Sequence, residues 1–252
     1  GTVRKVFGGI ATTELGSGLE PLAARPFEEN QMLQVAEKKA IAEAAAALVR
    51  DGDSLIIHGG STCYLFALLL AQRNLRIFTN SMPMAAALWQ KGSCHLTLGG
   101  GDLYREPGIL HASGAPPPEF YASKFFLGAQ SITHAGMFES HPLIVRETEM
   151  LLTRADEVII LADSRKFGFR ARYPVMPFSR IDTLITDDRI TEANHKMLTD
   201  AEPISRATRW KPISIDIPDS TQISIRSSAS DQARLIESWR RFTRFARKID
   251  GT

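Results

Sequence analysis

From Glu37 to about residue 200 the chain alternates short apolar runs with helical patterns, and no other feature limits its fold so strongly. "EKKAIAEAAAALV" is a strong helix former with apolar positions at Ile41, Ala44, Ala45 and Leu48, and Arg50-Asp51-Gly52-Asp53 ends it. "SLIIH", "LRIFT", "CHLTL", "SKFFLGA", "EVIILAD" and "IDTLIT" then read as strands. Between them, "TCYLFALLLAQ", "SMPMAAALWQK", "HPLIVRETEMLLTRA" and, at the end, "TEANHKMLTDA" read as helices. Continuous apolar strands separated by helices must be buried on both faces. That predicts an α/β fold with a mostly parallel sheet flanked by helices.

Ligands of such sheets sit at the carboxyl ends of the strands. Small, polar and charged residues gather at five of these ends: Gly59-Gly60-Ser61-Thr62, Thr79-Asn80-Ser81, Gly99-Gly100-Gly101-Asp102, Gly128-Ala129-Gln130-Ser131 and Asp163-Ser164-Arg165-Lys166. One site assembled from several strand ends is expected.

Composition removes several classes of function. Hydrophobic residues at 44% can fill a core, and a net charge of +2 gives no drive to coat nucleic acid. Cys63 and Cys94 are the two cysteines, too few for a disulfide framework or a four-cysteine zinc site, and they fit a reducing cytoplasm. No apolar run approaches the roughly 20 residues of a membrane span, and no secretory signal is visible. The expected organisation is an arm or linker over 1–34, a ligand domain over 35–202, and a 203–252 tail. That tail holds a strand at "KPISIDI" and a basic amphipathic helix at "SDQARLIESWRRFTRFARKI".

The "IIHGGST" turn lacks the lysine of a nucleotide P-loop and the spacing of a dinucleotide fingerprint. What remains is a strand, two glycines and two hydroxyls at a helix N-terminus, which suits one phosphate. The same residues also serve as a plain strand-to-helix turn with Ser61 as N-cap. Thr79, Asn80 and Ser81 cap the next helix and are available to the same anion. Lys166 is the candidate cation for phosphate, and Asp163 either holds a sugar hydroxyl or caps its loop. Asp102 and Arg105 suit recognition of hydroxyl and acidic groups or form a surface ion pair. His58 ends a strand beside the cradle, either packed and hydrogen-bonded or touching the ligand. Cys63 has no identifiable histidine partner, so it is not read as a nucleophile. His134, Glu139 and His141 lack metal-ligand spacing, and Glu147 and Glu149 read as a solvated helix face. No residue pattern calls for a cofactor.

The series "RKVFGG", "EKKAIAEAAAALVRDGDSLIIHGGST", "IFTNSMPMAAAL", "LTLGGGDLYRE", "FFLGAQSI", "VIILADSRKFG" and "IDTLITDD", over roughly residues 4 to 200, resembles the effector-sensing domain of DeoR-type bacterial transcriptional regulators. In that family "RKVFGG" resembles the junction after an N-terminal winged helix-turn-helix, a module this chain does not contain. The resemblance implies a fold similar to ribose-5-phosphate isomerase and a phosphorylated sugar as effector. Phosphate would lie on Gly59, Gly60, Ser61 and Thr62 with Thr79, Asn80, Ser81 and Lys166. His58, Asp102, Arg105, Gln130 and Asp163 would line the sugar end. DNA contact through the missing module and a homo-oligomer are also implied.

Two departures stand out. Many family members carry aspartate where His58 stands, and Gln130-Ser131 occupies the place where the isomerases have aspartates. An isomerase needs a base that glutamine cannot supply, so a sensor is expected in preference to an enzyme. An active sugar-phosphate isomerase or deaminase, with Asp102 or Glu106 as base, is the rival, and an interaction domain with a vestigial pocket is the third reading.

Overall fold

The computed structural model describes residues 3–6, 9–12, 26–112, 119–200 and 209–213. The chain divides into two units, Gly1–Ile215 and Asp216–Thr252, and the described residues all lie in the first. The expected terminal basic helix lies outside the described residues.

A hairpin of β1 (Val3–Val6) and β2 (Gly9–Thr12) comes first, followed by helices α1 (Phe27–Met32) and α2 (Val35–Ala46). The alternation then runs β3 (Ser54–Ile57), α3 (Ser61–Leu70), β4 (Arg76–Thr79), α4 (Met82–Lys91) and β5 (His95–Leu98). A small antiparallel hairpin, β6 (Asp102–Tyr104) and β7 (Ile109–His111), precedes β8 (Ala122–Leu127). Next come β9 (Ser131–Thr133), β10 (Gly136–Glu139), α5 (Pro142–Leu152), β11 (Ala155–Leu161) and a 3-10 turn over Ser164–Phe167. β12 (Tyr173–Met176), β13 (Thr183–Asp187), α6 (Glu192–Asp200) and β14 (Arg209–Ile213) complete the series.

Seven of these strands form one parallel sheet in the order β14-β13-β11-β8-β3-β4-β5. This is the α/β architecture expected from the alternation. β3, β4 and β5 step outward in one direction, and β8, β11, β13 and β14 step outward in the other. The reversal between β3 and β8 is the topological switch point, where a crevice opens at the strand ends.

Successive residues along each strand enter opposite layers of core. Leu55 and Ile57 of β3, Phe126 of β8, Ile159 and Leu161 of β11 and Ile185 of β13 pack against α2 and α3 through Ile41, Ala45, Phe66 and Leu70. Ile56, Phe125, Leu127, Ile160 and Leu184 face the other layer, with Leu151 and Leu152 of α5. The Phe66 and Phe126 rings lie 4.4 Å apart between centroids. Each such ring contributes roughly 1.5–3 kcal/mol by burial, so the double covering of the sheet dominates its stability.

Two smaller pieces escape the alternation. The β6–β7 hairpin is tied to the β4–α4 junction, where Met82 N–H donates to the Gly108 carbonyl at 2.9 Å and Leu110 N–H donates to the Asn80 carbonyl at 2.8 Å. β12, β10 and β9 form a three-stranded antiparallel sheet. The 1–34 segment, expected as an arm, contains the helix α1, and its Phe27 ring meets Tyr64 of α3 edge-on at 5.5 Å.

Candidate functional site

The turn after β3 is shaped by two glycines with different duties. Gly60, the N-cap of α3, has φ 137° and ψ 150°, a region essentially closed to residues with a Cβ. A Cβ on Gly59 would lie 3.0 Å from Cγ1 of Ile109, so the hairpin packs directly on the turn. Ser61 is the first helical residue and not the N-cap, and no side chain caps α3. By contrast, Ser81 Oγ accepts from Met84 N–H at 3.4 Å to cap α4, and His141 Nδ1 accepts from Leu143 N–H at 3.2 Å to cap α5. The first N–H groups of α3 therefore lack a side-chain acceptor at the positive end of the helix.

A cleft of about 90 Å³ opens on this turn; a single water needs about 10–15 Å³ by the same measure. Gly59, Gly60, Ser61 and Thr62 line it, as do His58, Gln130, Asp163 and Lys166. These eight expected residues come from the ends of β3, β8 and β11, which are neighbours across the switch point. The ends of β4 and β5 do not reach it. Thr79, Asn80 and Ser81 are buried in the β4–α4 turn, where Thr79 Oγ1 accepts from Ser81 N–H at 3.1 Å. Both amide atoms of Asn80 are buried without a partner.

Asp102 and Arg105, expected at the sugar end, are exposed on the hairpin and outside the cleft. β5 is the edge strand, two places from β3, and the hairpin that follows it does not turn these two residues toward the cleft. The same hairpin supplies Pro107 and Ile109 to the cleft instead. Glu106, the other base considered, is exposed and accepts from Phe27 N–H at 3.4 Å.

Three lining residues with polar or charged side chains lay outside the expected set: Asn30, Lys38 and Glu139. Lys38 is buried, and its ammonium donates to the Asn30 carbonyl. Burial lowers its pKa to about 8, against the pull of the Asp163 carboxylate, while Lys166 and Arg165 push the same way as burial. A sequence signal for it exists: Lys38, Ile41, Ala42 and Ala45 share one helical face, and all four are buried. Glu139 closes β10 and lines the cleft without His134 or His141. Burial raises its pKa to about 7, opposed by the N–H of Ser140, the charge of Lys166 and the N–H of Gln130.

Burial depresses His58 to about 4, so its imidazole is neutral, and pushes the Cys63 thiol up to about 12, which makes it a poor nucleophile. Glu147, expected on a solvated face, is buried in α5, and its carboxyl is raised by that burial. Among the described residues no group of three or more His, Cys, Asp or Glu side chains is placed to hold a metal ion. Nor is any helix among them long and apolar enough to cross a membrane.

Residues 33–188 match the family model described as the DeoR C terminal sensor domain. The HTH-type transcriptional regulator YulB of Bacillus subtilis is 32% identical over 180 residues, covering 69% of this chain and 69% of the relative. The HTH-type transcriptional regulator UlaR of Shigella dysenteriae is 28% identical over 162 residues, and the match spans 64% of each chain. Among solved structures, ribose 5-phosphate isomerase A of Methanocaldococcus jannaschii is similar at a TM-score of 0.39 and 18% identity, over 52% of this chain and 53% of that one. The eIF2B delta subunit of Chaetomium thermophilum is similar at 0.44 and 16% identity, over 62% and 57%.

Proposed function

The chain belongs to the family of the DeoR C-terminal sensor domain, and from that premise we propose that its cleft binds a phosphorylated sugar or related metabolite as the effector of a transcriptional regulator. One observation carries the proposal: α3 begins at the cleft with no side-chain cap, beside Lys38 and Lys166. Phosphate accepts from the N–H groups of that turn and from the hydroxyls of Ser61 and Thr62, and the two ammonium groups balance its charge. Lys38 replaces Thr79, Asn80 and Ser81 in the phosphate role assigned from sequence. The rest of the ligand runs toward His58, Gln130, Glu139 and Asp163.

The effector acts by favouring one arrangement of the full-length regulator through a difference in binding free energy. DNA contact belongs to a helix-turn-helix module of the kind that gives the relatives their names, and paired half-sites favour a homo-oligomer.

A thermal-shift panel of sugar phosphates, each paired with its free sugar, tests the reading. A saturating ligand raises the melting temperature with concentration. Stabilisation by an ester but not by its free sugar, with the ester recovered unchanged, is the expected result. No response to any phosphate ester would overturn it.

One observation favours turnover as a second reading. Gln130 offers no base, but Glu139 does stand in the cleft with its pKa raised to about 7, a value suited to proton transfer. Conversion of an ester by the wild type and not by Glu139→Gln would move the assignment to an isomerase.

A further inference from the structure

Three residues that line the cleft offer hydrogen-bond acceptors. His58 Nε2 and Asp163 Oδ2 are both buried without a partner, in side chains only 4% and 1% exposed. His58 Nδ1 lies 3.4 Å from the Gly59 carbonyl oxygen, and a proton placed there leaves Nε2 as an acceptor. Asp163 Oδ1 is already occupied by Arg165, so Oδ2 is the oxygen still open. Glu139 adds a third acceptor, steadied by Ser140 N–H at 3.2 Å. Buried acceptors left unmatched cost free energy that a donor on the ligand recovers.

Charge points the same way. Among the lining residues the ammonium groups are those of Lys38 and Lys166, both engaged by the phosphate in the reading above, and the carboxylates are those of Asp163, already paired with Arg165, and Glu139. One phosphate is met by the α3 N-terminus together with the lysines. A second anionic group would face Asp163 and Glu139, with no further cation among the lining residues to offset it.

We infer that the cleft takes the monophosphate ester of a neutral polyhydroxy compound, whose hydroxyls donate to His58 Nε2, Asp163 Oδ2 and Glu139. It discriminates against phosphorylated sugar acids and against bisphosphates. The inference rests on the phosphate reading above and adds what the far end of the ligand must be.

Isothermal titration of this chain tests it with matched sets of four-, five- and six-carbon compounds. Each set holds the sugar monophosphate, its reduced polyol monophosphate, the sugar-acid phosphate and the bisphosphate. At least one neutral monophosphate is expected to bind, with its acid and bisphosphate counterparts weaker by about tenfold or more, because their second anionic group is set against the carboxylates of Asp163 and Glu139. Glu139→Gln narrows that gap, since an amide also donates to a carboxylate, and Asp163→Asn repeats the test on the other wall. Equal or tighter binding of the acid phosphate or the bisphosphate overturns the inference and leaves the phosphate reading standing. Failure of every phosphate-bearing compound to bind overturns both.

Discussion

Arg165 donates twice to one oxygen of Asp163, from its backbone N at 3.2 Å and from its Nε at 3.1 Å, and the second oxygen stays buried without a partner. The first oxygen caps the 3-10 turn that carries Lys166, and Asp163 itself lines the cleft. One carboxylate thus holds the loop in place while facing the site. Asp163→Ala removes the cap and the ion pair together, and urea unfolding at neutral pH is expected to show a loss of about 1–3 kcal/mol. Asp163→Asn keeps an oxygen acceptor for the backbone N–H and is expected to lose less.

Lys38 ties stability to alkaline pH. Its pKa is about 8 in the folded chain against the usual 10.5. Between those values the unfolded chain holds the extra proton, so stability rises with pH across that window. Below about 8 both states are protonated and the burial penalty is fully present. The gain is on the order of 3 kcal/mol, read as the difference in urea midpoints between wild type and Lys38→Met. A flat difference from pH 8 to 10.5 would contradict the burial of this ammonium.

Glu139 works in the opposite sense at lower pH. Its folded pKa of about 7 lies above the usual 4.5, so from 4.5 to 7 the folded chain holds the extra proton. Stability contributed by this group is present below 4.5 and falls as pH rises through 7. The same midpoint measurement on Glu139→Gln is expected to show that slope abolished. An unchanged slope would assign the pH dependence to other groups.

Gly60 fixes the entry into α3. With φ at 137°, Gly60→Ala forces an L-residue into strained backbone and is expected to destabilise by about 1–3 kcal/mol in chemical unfolding. Ser61→Ala leaves the backbone of the turn and its N–H groups intact, and is expected to shift the melting temperature of the free protein little. A large loss from Ser61→Ala would mean that its hydroxyl supports the turn after all.

The sheet was legible in the sequence because its central strands carry continuous apolar runs, Leu55-Ile56-Ile57 in β3 and Val158-Ile159-Ile160-Leu161 in β11, which burial on both faces demands. β6, β7 and β9 were not, because three residues are too few for any periodicity to register. The glycine turn and the Asp163–Lys166 loop announced themselves as polar clusters after apolar strands. Asp102 and Arg105 followed the same pattern after β5, but strand order along the sheet decides which ends meet, and local pattern is blind to order. Lys38 was hidden by its helix: a lysine in a run of good helix formers reads as solvated until its place on the buried face is noticed. Glu139 needed the pairing of β10 with β9 and β12 to bring it to the cleft, a contact between segments that no single stretch of sequence encodes.

The walls of the cleft are drawn from Asn30 at one extreme and Lys166 at the other, with α1, α2, the hairpin and three strand ends between them. No fragment of the chain owns more than a corner of it. A nascent or partly melted molecule therefore presents no complete cleft, and the binding proposed above would select finished copies of the fold.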